Sequence, residues 1–269
     1  MMHRLWAILC MVAALPAQAA GLPQPDHIVI VIEENKAYSQ IIGNPDAPYI
    51  NRLAQQGALF TDAHGVTHPS QPNYLALFTG STRGVGSNTC PLDLSGPNLA
   101  SALQQSGHSF ISYAESMPRA GYDGCRYGAY MRKHNPVANW AELTAVNQPF
   151  TAFPADYAQL PAVALVIPDQ RHDMHDGSLA EGDAWLQQNL ETYAQWSLTH
   201  NSLLIVTFDE DDGSQGNRVV TLFYGAMVKP GRYAQRIDHY NVLRSVLEMN
   251  GAAAPDQAAR AEPIRDAWR

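Results

Sequence analysis

Residues 27–35 read HIVIVIEEN, and this stretch decides the fold. Positions 28–32 are an unbroken run of β-branched apolar residues ending in acids and an amide. A strand with one wet face alternates apolar and polar residues. A continuous run marks a strand covered on both faces, the condition of a parallel sheet between helical layers. LLIVTF at 203–208 is a second such run and 219–228 a third, with weaker strands expected at 58–63, 108–114 and 162–167. Helical segments fall between them, at 47–56 before Gly57, at 70–79, at 98–106 before Gly107, at 183–199, and at 238–250 between Asp238 and Gly251 as caps. Alternating strands and helices predict an α/β fold, a three-layer α/β/α sandwich with a mostly parallel central sheet. Residues 90–154 are irregular and rich in Gly, Tyr, Arg and Asn, which reads as a cap-like elaboration of a single domain over 20–269.

Composition narrows the function. With 46% hydrophobic and 16% charged residues, the chain of 269 can build a large core and has none of the charge runs of a disordered protein. A formal charge of −8 argues against nucleic acid as a bulk partner. Phosphate remains possible where a metal or a local cluster reverses the sign. The first residues, MMHR, are basic, LWAILCMVAAL is apolar, and Ala17-Gln18-Ala19 fits a cleavage site, so 1–19 is expected to be a signal peptide of an exported, periplasmic or secreted protein. The apolar run is too short to span a bilayer, and no later segment is long enough, so the mature chain is expected to have no transmembrane segment. Cleavage leaves Cys90 and Cys125. In an oxidising compartment an even pair is most simply a disulfide, here worth about 3–4 kcal/mol, with two buried thiols as the alternative.

Ligands of open α/β sheets bind beyond the carboxyl ends of strands. Glu33, Glu34 and Asn35 follow the first run; Asp209, Glu210, Asp211 and Asp212 follow LLIVTF; Asp169, His172, Asp173, His175 and Asp176 follow 162–167. An acidic run alone is usually a solvated loop, and DEDDG lacks the spacing of an EF-hand. Three acidic strand ends on one sheet edge would repel one another, and one divalent cation is the simplest remedy. Oxygen ligands favour Mg, Ca or Mn, while the histidines leave Zn or Fe open.

Ser70 stands in HPSQPNY, at the start of a helical segment. The plainer reading is an N-cap. The functional one is a nucleophile beside a metal, at a helix end whose free N–H groups favour phosphate. His68 could neutralise phosphate oxygens or move a proton. His134 lies in the cap-like region beside Arg132 and Lys133, either of which would suit an anionic substrate, and His239 reads as structural.

Six stretches, IVIVIEENKAYSQIIG, FTDAHGVTHPSQPNYLALFTGS, YMRKHNPVANW, VIPDQRHDMHDGS, LLIVTFDEDDG and RIDHYNVLRSVLEMNG, run in order over nearly the whole mature chain. Together they resemble the phosphoesterase family of secreted bacterial acid phosphatases and phospholipases C, within the alkaline phosphatase superfamily. The resemblance implies an alkaline-phosphatase-like sandwich and a metal held by Glu34, Asn35, Ser70, Asp209 and Glu210. It implies Ser70 as the nucleophile of a phosphoserine route. His175, His134 and His68 are then the catalytic histidines, with Asn35 and His172 on the substrate. The expected activity is an exported, metal-dependent phosphomonoesterase, acid phosphatase-like, acting on a small phosphate ester. A phospholipase C-type diesterase acting at a lipid headgroup is the alternative on the same chemistry, and a non-catalytic periplasmic metal-binding protein is a third. An acyl hydrolase is disfavoured, because HPSQP lacks the glycines of a nucleophile elbow.

Overall fold

The computed structural model describes residues 21–269; the expected signal peptide lies outside them. In chain order the elements are β1 His27–Glu33, α1 Tyr38–Ile41, α2 Pro48–Gln56, β2 Ala58–His64, α3 Ser70–Thr79, α4 Leu99–Gln105, β3 Phe110–Ala114, β4 Arg126–Tyr127, β5 Tyr130–Met131, β6 Asn147–Pro149, β7 Val163–Ile167, α5 Leu179–Ser197, β8 Ser202–Phe208, β9 Arg218–Tyr224, β10 Gly231–Asp238 and α6 His239–Met249. Eight strands form one sheet in the order β10-β2-β9-β8-β1-β7-β3-β6, and β4 and β5 make a separate two-stranded ribbon. Every pairing in the large sheet is parallel except those of β9 with β2 and β8. Helices α2 and α5 pack together over one face, and α3, α4 and α6 over the other, giving the expected three layers.

The apolar runs occupy the centre. β1, β7 and β8 are buried almost throughout, with Ile28, Val29, Val31, Val163, Leu203 and Val206 wholly excluded from solvent. Register then sets the functional edge. Glu33 pairs with Phe208, Val31 with Val166, and Asp238 with His64. The segments after β1, β2, β7, β8 and β10 therefore leave the sheet at one end. No described helix is long and apolar enough to cross a membrane.

One helix start differs from the sequence reading by more than a residue. α5 begins at Leu179 rather than at 183, capped by Ser178, whose hydroxyl accepts the Glu181 N–H. Gly182 inside that first turn weakens the helical signal, yet the close packing requires it. A Cβ there would stand 2.5 Å from Met174 Cγ and 2.7 Å from the His172 carbonyl oxygen. Gly182→Ala is expected to cost about 1–3 kcal/mol despite alanine's better helix propensity, read as a lowered midpoint in thermal or urea denaturation. α2 has no side-chain cap of its own. Asp183, 134 residues away from Tyr49, supplies it, its carboxylate accepting the N–H groups of Tyr49 at 2.9 Å and Ile50 at 2.8 Å.

The irregular stretch carries short 3-10 turns and the small ribbon, and Cys90 is bonded to Cys125. Its turn Arg132–His134 follows β5 directly and enters the functional edge. Arg132 anchors it from behind. The buried guanidinium donates to the carbonyls of Leu92 and Asp123 and, at 3.1 Å, to Asn139 Oδ1.

Candidate active site

The structure places Ser70 as the first residue of α3, with Pro69 in the cap position. The N-cap reading is thus corrected: the hydroxyl satisfies no helix N–H. It is buried and lies 3.1 Å from Glu34 Oε2 and 3.0 Å from Glu210 Oε1, donating to one of the two. The phosphate-holding N–H groups expected at this helix end are also fewer than foreseen. Pro72 has none, and the Gln71 N–H already donates to Asn88 Oδ1 at 3.0 Å.

Glu34, Asp209 and Glu210 are all buried, and each offers an oxygen within 4.8 Å of the others. Burial first, and then the charges of Glu34 and Glu210, push the Asp209 carboxyl well above the usual carboxylate range. Its Oδ2 has no hydrogen-bond partner among the described residues, while Oδ1 accepts the Asn35 N–H at 3.1 Å. Burial raises Glu210 as well, with Glu34 adding to it. Burial would raise Glu34 too, but His134 outweighs it and holds that carboxyl below its ordinary value. Crowded, dry, partly unpartnered carboxylates are the donor set of a hard divalent cation. This group could therefore hold one. Asn35 sits in the left-handed region with φ 51°, which turns the chain sharply after Glu34. Its side-chain amide has no hydrogen bond among the described residues.

The histidines divide into three settings. His134 is buried and stacked on Tyr74, with Nε2 2.9 Å from Glu34 Oε1 and Nδ1 2.9 Å from Asp173 Oδ2. Burial alone would lower its pKa, but the two carboxylates prevail and raise it to about 9. His175 lies beside it, ring centres 5.8 Å apart, with Nδ1 2.7 Å from Asp176 Oδ1. His68 is half-exposed at the opposite rim, Nδ1 2.6 Å from Glu210 Oε2 and Nε2 3.3 Å from Asp211 Oδ1. His172 belongs elsewhere. It contacts Glu115 at 3.0 Å and stacks on Trp185, within a second group of Glu115, Asp169 and His172, and has no hydrogen bond or ion pair to the Ser70 group.

Several contacts at this edge have no counterpart in the sequence reading. Asp173 stood there only among strand-end acids. One of its oxygens meets His134, the other accepts the His175 N–H at 2.8 Å, and its carbonyl accepts the Glu34 N–H at 2.8 Å. Lys36 ties the same loop down, its ammonium donating to the carbonyl oxygens of Met174 at 2.7 Å and Asn35 at 3.3 Å. His239, read as structural, is buried with Nε2 2.6 Å from the Asp209 carbonyl oxygen, so it steadies a candidate ligand segment. Glu33 stays outside the three-carboxylate group. It is fully buried, neither of its oxygens has a partner among the described residues, and burial, reinforced by Asp173 and Glu115, pushes its carboxyl well up.

Known proteins resemble this chain in sequence and in fold. The chain is 49% identical over 254 residues to a phosphatidylinositol-3-phosphatase of Mycobacterium tuberculosis, covering 93% of this chain and 85% of that one. It is 31% identical over 218 residues to an acid phosphatase of Aspergillus fumigatus, covering 72% of this chain and 48% of the relative. Among solved structures, a protein of the alkaline phosphatase superfamily from Vibrio parahaemolyticus superposes with a TM-score of 0.59 at 14% identity, over 90% of this chain and 71% of that one, a likeness of fold alone. The model of the Phosphoesterase family matches residues 44–251, from the turn before α2 to the end of α6. With a three-carboxylate group, a buried serine and two histidines gathered at its strand ends, this chain belongs to the Phosphoesterase family, hydrolases of phosphate esters.

Proposed function

We propose that this protein is an exported, metal-dependent phosphomonoesterase working through a phosphoserine at Ser70. One observation carries the reading: a buried serine hydroxyl at a helix start touches two carboxylates of a group suited to a divalent cation. The monoester reading is preferred to phospholipase C because the relative at 49% identity is named a phosphatase. Export is supported by the leader-like residues 1–19 and by the disulfide of Cys90 and Cys125.

Glu34, Asp209, Glu210, the Ser70 oxygen and the Asn35 amide oxygen would hold the cation. Bound there, it would favour the ionised serine and draw charge from a phosphate oxygen. The rest falls to the chain. Ser70 Oγ passes its proton to the carboxylate it touches and attacks phosphorus from its fixed place at the start of α3, and the bond from phosphorus to the ester oxygen breaks. His134, held between Glu34 and Asp173, presents a fixed positive charge to the phosphoryl oxygens. His175 gives the leaving alcohol its proton. Water then gives a proton to His175 and attacks the phosphoserine, inorganic phosphate leaves, and Ser70 takes back its own proton from the carboxylate.

The reading is tested with 4-nitrophenyl phosphate, a soluble sugar phosphate and phosphatidylinositol 3-phosphate. EDTA is expected to abolish turnover and one added divalent ion to restore it. Acid quench with labelled phosphate ester should leave label on the peptide containing Ser70. Undiminished turnover in EDTA, or label on another residue, would sink the proposal.

A further inference from the structure

We propose that Lys133 selects a doubly charged phosphate monoester over a singly charged diester, an inference that rests on the phosphomonoesterase reading. The residue stands between two fixed neighbours in the turn Arg132–His134. Arg132 is turned inward and spent on Leu92, Asp123 and Asn139, so of the two cations foreseen for an anionic substrate it is unavailable. His134 is clamped between Glu34 and Asp173. Lys133 has no such partner. Among the described residues no carboxylate lies within ion-pair distance of it. Its one polar contact is another base, with Nζ 3.4 Å from His175 Nε2. Nearby cations differ: Lys36 is held by two carbonyls, and Arg171 by Glu181 at 2.8 Å.

The His175 contact is the kind a substrate displaces. His175 Nδ1 meets Asp176 Oδ1, which leaves Nε2 as the nitrogen facing the Lys133 ammonium. An anionic phosphate oxygen is a far stronger acceptor for an ammonium than an imidazole nitrogen is.

Charge accounting gives the lysine its role. Three carboxylates against one divalent ion leave the nucleophile side one negative charge in excess. Asp173 balances the charge of His134, Glu34 being already counted in that group. A monoester near neutral pH carries close to two negative charges and a diester one. The additional charge needs a cation the protein has not already neutralised, and Lys133 supplies it.

The test compares wild type, Lys133→Gln and Lys133→Arg on 4-nitrophenyl phosphate and bis(4-nitrophenyl) phosphate, with the inhibition constant of inorganic phosphate measured in parallel. For Lys133→Gln, monoester kcat/KM is expected to fall about 30- to 100-fold, the diester value at least about tenfold less, and phosphate to inhibit about tenfold more weakly. Lys133→Arg should recover most of both monoester turnover and phosphate affinity. Equal losses on the two esters, or an unchanged phosphate constant, would overturn the assignment. Ser70→Ala, assayed beside them, keeps the readings apart. Residual full turnover there removes the phosphoserine step, whereas an unchanged ester ratio in Lys133→Gln removes only the selectivity.

Discussion

Ser70→Ala is expected to reduce phosphate-monoester turnover by at least about 10⁴-fold while leaving a folded protein that still binds a divalent ion. The size follows from where the hydroxyl sits. It is the one alcohol in contact with both Glu34 and Glu210, and the α3 backbone fixes its approach. The structural cost is small by comparison. One hydrogen bond to a charged acceptor is lost, worth about 1.5–3 kcal/mol, and alanine fills nearly the same space at a helix position it favours. Steady-state rates on 4-nitrophenyl phosphate, taken with a thermal melt and a metal titration, separate loss of chemistry from loss of fold. Turnover within about tenfold of wild type would remove Ser70 from the reaction.

Asp209→Asn should act in two opposite directions. Turnover and metal affinity are expected to drop by about 10²- to 10³-fold, because a buried anionic donor becomes a neutral amide. The metal-free protein is expected to gain about 1 kcal/mol. The substitution removes a carboxyl that burial and two neighbouring carboxylates disfavour, and it keeps the Oδ1 acceptor for the Asn35 N–H. Melting curves with and without added metal check both halves. Wild type should rise in midpoint on metal addition, and the variant should start higher and rise little. A metal-induced shift as large as that of wild type would exclude Asp209 from the ligand set.

These expectations draw on features that the sequence discloses unequally. β1 and β8 are legible because strands covered on both faces cannot conceal their apolar runs. Since they lie side by side in the sheet, the acids that follow them were bound to meet. β10 is not legible. Its residues GRYAQRID are largely polar and half-exposed, and it is a strand only because β2 offers an edge to pair with. The start of α5 was hidden by Gly182, a poor helix former kept for its lack of a side chain. Sequence proximity also misled over His172 and His175. They are three residues apart, yet the loop sends one to Glu115 and the other to the neighbourhood of His134. The work of Asp173 could not be read at all, since an acid in a turn is ordinarily a local cap. Here it spans to a histidine 39 positions earlier.

β9 is the one strand of the large sheet that runs against its neighbours, and it makes the link between β8 and β9 the sheet's only hairpin. Asp211 closes that link locally, accepting the Asn217 N–H from six positions away. The serine is another matter: Ser70 and Glu210 are 140 positions apart, and Ser70 and Glu34 36. In chain-entropy terms the acid-bearing loop can form early and cheaply, while the serine joins it only after β1, β2 and β8 have found their places through long crossovers. Catalytic competence is therefore a late and cooperative property of folding. A partly assembled chain would carry the acids in something like their final loop, but not yet the serine beside them.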